Sequence, residues 1–203
     1  MSGAAPEIWL LRHGATAWAR DGRHTGCTDL PLLSEGEAEA RALAPLLARQ
    51  RFDAVLVSPL QRARRTCELA GLGAAAELCD DLREWDYGAY EGITTAEIRR
   101  SVPDWTVWSH ACPGGEGLAQ VAERCERLLA LCQARFGSQQ RLALFAHGHI
   151  LRSLAGSWLG LGPAGGALLV LGTGCYSVLG REREQRALLR WNVPVQDDPV
   201  AGS

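Results

Sequence analysis

Apolar residues in this chain follow two patterns: short unbroken runs, and longer stretches spaced at a helical period. Glu7-Ile-Trp-Leu-Leu-Arg12 is an unbroken run closed by His13-Gly14 and reads as a buried strand. Ala54-Val-Leu-Val57 and Arg141-Leu-Ala-Leu-Phe-Ala146 read the same way, and Glu77-Leu-Cys79 is a shorter candidate. Leu118–Phe136 carries apolar residues at 118, 121, 125, 128, 129 and 132, a helical stripe that Gly137 is placed to stop. Ser34-Glu-Gly-Glu37 has the spacing of a capping box and predicts a helix to about Gln50, kinked at Pro45. Ser58-Pro59 repeats a start signal, with Ser as N-cap and Pro at the first helical position, for a helix ending near Gly71. A further helix is expected from His147-Gly148 to about Gly160, a short one near Thr95–Arg100, and two or three strands within 167–192. Residues 14–33 read as a loop.

Strands that are apolar throughout, alternating with helices, require a sheet covered on both faces. The expected class is α/β, a three-layer α/β/α sandwich around a mostly parallel central sheet. A length of 203 residues fits a single domain, 1–203, with its core at about 7–192 and a loose tail over 193–203.

Composition removes several functions. A net charge of −2 leaves no basic excess to neutralise a nucleic-acid backbone, so no nucleic-acid partner is expected. Gly166–Leu171 and similar runs are far too short to span a membrane, and the first six residues lack a basic patch followed by an apolar run. The expected location is cytoplasmic. The seven cysteines are odd in number and include no C-x-x-C pair, which reads as free thiols in a reducing compartment. No metal-ligand spacing is present, so no metal and no cofactor is expected. All 21 basic residues are arginine, so no lysine is available for Schiff-base or P-loop chemistry.

In open α/β folds, ligands sit beyond the carboxyl ends of the strands. Two such ends carry the same dipeptide here, His13-Gly14 and His147-Gly148. If the two strands are neighbours, two imidazoles meet over one sheet edge, with Arg12 beside them. A third strand end leads into Ser58-Pro-Leu-Gln-Arg62, where Arg62 is placed to reach the same edge. Leu82-Arg-Glu84-Trp-Asp-Tyr87-Gly88 puts carboxylates in an aromatic setting suited to a general acid.

Together these motifs resemble the histidine phosphatase superfamily, the phosphoglycerate mutase-like clan. The resemblance rests on Arg12-His13-Gly14-x-Thr16, Thr25-Gly26, Ser58-Pro59-Leu60-x-Arg62-Ala63-x-x-Thr66, Glu84-x-x-Tyr87-Gly88-x-x-Glu91-Gly92, Gly115-Glu116 and His147-Gly148. The segment 84–92, with Trp105, Trp108 and Cys112-Pro-Gly-Gly-Glu116, is most similar to the small bacterial acid phosphatase branch. Phe145-Ala-His-Gly-His149 is also similar to a yeast sedoheptulose-bisphosphatase branch. The resemblance implies a metal-independent phosphatase acting on small phosphorylated metabolites. It implies His13 as nucleophile, Arg12, Arg62 and His147 as the phosphoryl cage, and Glu84 as general acid and then base. Thr16, Thr25, Gly26, Tyr87, Gly148 and His149 are the implied substrate contacts. The chain departs from the family pattern at Ala15, Ala19, Gly117 and His149.

The alternatives are a cofactor-dependent phosphoglycerate mutase and a sugar bisphosphatase of narrow specificity. Mutases of the clan insert a basic segment between the Tyr-Gly and Gly-Glu motifs. Only residues 89–114 lie there in this chain, with Arg99-Arg100 as the one basic cluster, so transfer to water is favoured. A homodimer through strand or helix edges is compatible with this fold. Trp85, Trp105 and Trp108 read as either a substrate wall or loop packing, Trp9, Trp158 and Trp191 as core, and His24 and His110 as candidates for the pocket mouth, with a solvated loop position favoured for His110.

Overall fold

A computed structural model describes residues 7–135 and 141–195. In chain order the elements are β1 (Glu7–Arg12), α1 (Ala17–Arg20), α2 (Ser34–Ala48), β2 (Ala54–Val57), α3 (Gln61–Leu69), β3 (Ala76–Leu78), α4 (Thr95–Ile98), α5 (Leu118–Arg135), β4 (Arg141–Ala146), α6 (Gly148–Trp158), β5 (Tyr176–Glu182) and β6 (Gln185–Val193). The six strands form one sheet in the order β3-β2-β4-β1-β5-β6. The first four in that order run parallel, and β5 and β6 add an antiparallel edge.

Alternation along the strands explains the layers. Ile8, Leu10, Leu142 and Leu144 point to one face and pack with Val121, Cys125 and Leu128 of α5 and Ile150 and Leu154 of α6. Trp9, Leu11, Ala143 and Phe145 point to the other and pack with Leu43 and Leu47 of α2 and Ala63 and Cys67 of α3. A side-chain period of two thus feeds two cores, which is why the inner positions of β1, β2 and β4 are apolar throughout.

Several local expectations are corrected. The stretch read as loop between 14 and 33 contains the one-turn helix α1, capped by Thr16, whose hydroxyl accepts from the Ala19 amide at 3.2 Å. Ser34 does not build a capping box. It is already the first residue of α2, its N-cap is Leu33, and Glu37 turns away to pair with Arg41 and Arg65. Pro45 lies within α2, which runs on to Ala48. A capping box does exist at α4, where Thr94 and Glu97 bond each other's backbone amides. Ser58 does not cap α3 either. The helix starts at Gln61, whose amide is received by the Asp29 carboxylate at 2.8 Å. The predicted stop at Gly137 and the tail from residue 196 lie outside the described residues. Among the described residues, all seven cysteines are free, and no helix is long and apolar enough to cross a membrane.

Candidate active site

The sheet order puts β1 directly beside β4, with Arg12 in register with Ala146. The His13 amide donates to the Ala146 carbonyl at 3.0 Å, extending the ladder one step past the strands. The two His-Gly dipeptides therefore emerge side by side, and the rings of His13 and His147 lie 5.2 Å apart, centroid to centroid. Gly14 is required by packing. A Cβ there would come within 2.1 Å of the Gly36 carbonyl oxygen, because α2 crosses directly over this turn.

Hydrogen bonds then make the two rings different. His13 places Nδ1 at 2.7 Å from the Gly14 carbonyl, so Nδ1 carries the proton and donates it, leaving the Nε2 lone pair free. His147 has both nitrogens engaged. Nδ1 accepts from Nε of Arg62 at 3.1 Å, so the proton sits on Nε2, which donates to the Ser58 hydroxyl at 2.8 Å. Burial first, then the Arg12 and Arg62 charges, hold the His13 imidazole well below its ordinary value. Burial, with Arg62 next, does the same for His147. Both rings are neutral near pH 7.

The guanidinium groups are held in place. Arg62 is fully buried, and three backbone carbonyls, those of Thr25, Gly26 and Thr28, accept from its terminal nitrogens at 2.9–3.1 Å. The loop that supplies them is itself pinned, because Glu91 accepts from the Gly26 and Thr28 amides. Arg12 donates through Nη1 to the Leu171 carbonyl, while its buried Nε has no partner among the described residues. Burial lowers the pKa of both groups from the arginine value. A buried cationic donor without an acceptor is costly, and an oxyanion ligand removes that cost.

Glu84 lines the same cavity as His13. Its carboxylate accepts from the Trp85 amide and from the His149 and Ile150 amides at the start of α6, each at 2.9 Å. Its backbone is braced by Arg124 of α5, which donates to the carbonyls of Asp81, Arg83 and Glu84 and pairs with Glu116.

The cavity has a volume of about 180 Å³. Of the residues singled out from sequence, Arg12, His13, Thr25, Glu84, Tyr87, Gly148 and His149 line it. Arg62 and His147 lie behind that wall, fully buried. Thr16 is buried as the cap of α1, the Gly26 amide is taken by Glu91, and neither residue lines this cavity. His24 lines the mouth as expected, with its Nε2 at 3.1 Å from the Thr95 hydroxyl, and burial holds it down to about 4. His110 is exposed and does not line the cavity. Trp85 and Trp105 are packing residues, fully buried, whereas half-buried Trp108 stands edge-on to His149 at 5.2 Å. Tyr87 shares a 2.5 Å hydrogen bond with Nδ1 of His149, and burial pushes its phenol well above the ordinary value. Ala19, where the family pattern has a polar residue, also lines the cavity. Sequence reasoning missed Arg23 and Arg152 in the cavity wall, and it misread Ser58.

The sequence profile of the histidine phosphatase superfamily, branch 1, matches residues 8–194. The chain belongs to this superfamily. An acid phosphatase of Mycobacterium tuberculosis is 40% identical over 196 residues, covering 96% of each chain. A sedoheptulose 1,7-bisphosphatase of Saccharomyces cerevisiae is 34% identical, with 80% of this chain and 70% of that protein covered. The solved structure of an open reading frame product from Mycobacterium tuberculosis superposes with a TM-score of 0.88 at 38% identity, covering 93% of this chain and 98% of that one. This histidine phosphatase therefore carries the fold expected from its sequence, and its activity is that of a phosphatase.

Proposed function

We propose that the enzyme hydrolyses small phosphomonoesters through a covalent phosphohistidine on His13. The supporting observation is the asymmetry between the two histidines. Of the two His-Gly turns, it is His13 that combines a place in the cavity wall with an Nε2 left free by a proton on Nδ1. Nε2 attacks phosphorus as the ester P–O bond breaks, and Glu84 gives its proton to the leaving alkoxide. Glu84 then takes a proton from water, which attacks the phosphohistidine and releases orthophosphate. Arg12 and Arg62, with His147 behind them and the Gly148 amide nearby, stabilise the charge on the transferring oxygens. Fixed guanidinium groups suit this because the phosphoryl transition state spreads charge over its equatorial oxygens. The reaction as written needs no metal or cofactor. Seven unpaired cysteines support a reducing, cytoplasmic setting, and the substrate is a phosphorylated metabolite. A dimer built through sheet or helix edges is compatible with the site, which is complete within one chain.

The test is rapid alkaline quench with a labelled phosphomonoester, followed by peptide mapping at alkaline pH. An acid-labile, base-stable phosphoryl group on His13 is the expected result, and turnover without any such adduct would reject the mechanism. Isomerisation of 3-phosphoglycerate, measured in parallel, reports any mutase activity.

A further inference from the structure

The wall of the cavity carries more positive charge than one phosphomonoester uses. Arg12, with Arg62 behind it, addresses the transferred group. Arg23 and Arg152 remain, and Glu84 is the single carboxylate among the lining residues. Neither Arg23 nor Arg152 makes an ion pair among the described residues. Arg152 is half-buried, and burial lowers its pKa, a cost that the Glu84 charge opposes from a distance and no ion pair offsets. It is nonetheless held in one place. Its Nε donates to the Gly166 carbonyl at 3.0 Å, and its guanidinium lies 4.8 Å from the centre of the Trp108 ring. The side chain lines the cavity, and among the described residues no ion pair engages its terminal nitrogens. Arg23 lines the same cavity and is exposed, with a long 3.4 Å contact to the Gly92 carbonyl.

We infer that Arg152, assisted by Arg23, forms a second anion subsite, and that the substrate carries a second phosphate or a carboxylate besides the ester phosphate. This rests on the phosphatase reading above. A neutral hydroxyl would not repay burying an unpaired guanidinium, whereas an anion would, through charge-assisted and bidentate bonds. Spacing follows from the helix. Arg152 lies four residues past Gly148, which puts its Cα roughly 6 Å further along the axis at the usual rise per residue. The Gly148 Cα region touches the Arg12 guanidinium, since a Cβ added to this glycine would lie 3.3 Å from Arg12 Cζ. The second anion is therefore several bonds from the ester phosphorus.

Matched substrate pairs test this. 3-Phosphoglycerate and glycerol 3-phosphate differ by a carboxylate against a hydroxymethyl group. Fructose 1,6-bisphosphate and fructose 6-phosphate differ by the second phosphate. The wild-type enzyme is expected to favour the doubly anionic member of at least one pair by about tenfold or more in kcat/KM, and which pair responds identifies the anion. In Arg152→Met that ratio should fall towards one. Arg23→Gln, on an exposed lip, should lower the ratio as well and serves as the reading if Arg152→Met does not fold. A ratio near one in the wild type, or an unchanged ratio in the folded variants, overturns the inference. Binding of the same pairs to His13→Ala, followed by calorimetry, separates the two ideas. If no phosphohistidine forms, the phosphatase mechanism fails, yet a preference for the doubly anionic ligand would still uphold the subsite.

Discussion

Arg62 donates its Nε–H to Nδ1 of His147 at 3.1 Å, and this bond sets apart two otherwise similar His-Gly turns. By occupying Nδ1 it forces the His147 proton onto Nε2 and from there to Ser58. His13, with its proton turned to the Gly14 carbonyl, keeps its Nε2 lone pair free.

His13→Ala should therefore abolish turnover while leaving the fold intact, since the ring makes its one side-chain hydrogen bond to its neighbour's backbone. A fall of at least about 10³ in kcat on an aryl phosphate is expected. Retained Tm with substantial residual turnover would mean that another group attacks.

Glu84→Gln should discriminate between leaving groups. An alkyl phosphate, whose alkoxide needs a proton, should slow by about 10²–10³, while nitrophenyl phosphate should slow much less in its first step. Equal slowing would show that the carboxylate acts through the α6 amides it holds and not by proton transfer.

Ser58→Ala removes the acceptor for the Nε2–H of His147 in a fully buried position. Loss of one such bond should lower kcat by roughly tenfold. Arg62 still fixes the tautomer, but the ring loses the acceptor that also stabilises its charged form, so the acid limb of the pH–rate profile should move as well. A loss of stability with an unmoved profile would assign Ser58 to packing alone.

Stability should depend on pH with a definite sign. Burial holds His13, His147 and His149 well below 6.5 and His24 down to about 4. In the unfolded chain these rings protonate near 6.5. Below that pH the unfolded state binds more protons than the folded one, so stability falls as pH drops from about 6.5 towards the folded values. Tm should be flat above about pH 7.5 and decline steadily between 6.5 and 4, while His13 stays neutral and competent for as long as the fold survives. A Tm that is level between pH 7 and pH 5 would show that these rings are not buried neutral.

The alternation of apolar runs and helical stripes carried the three layers, because each inner position of β1, β2 and β4 meets one of two cores. The motif order likewise carried His13, Arg12, Arg62, Glu84 and His147. What the sequence could not carry were partners distant along the chain. Ser58 before Pro59 has the local look of a helix cap, but His147, 89 residues away, takes its hydroxyl. Asp29 caps α3 from 32 residues upstream, a contact with no local signature. Arg152 looks like an ordinary solvated helix residue until Trp108 and Gly166 are folded against it. Thr94 and Glu97 are the reverse case, a capping box that spacing alone would have revealed.

Because three main-chain carbonyls tether Arg62, its guanidinium cannot swing to follow an incoming group. The reactive end of the pocket is a rigid mould, already set when the ligand arrives. Inhibitors should then be ranked by how well their oxygens fit that mould, with trigonal-bipyramidal vanadate ahead of flexible phosphonates. Redesign of selectivity belongs at the rim, where side chains can be exchanged without disturbing the chemistry beneath.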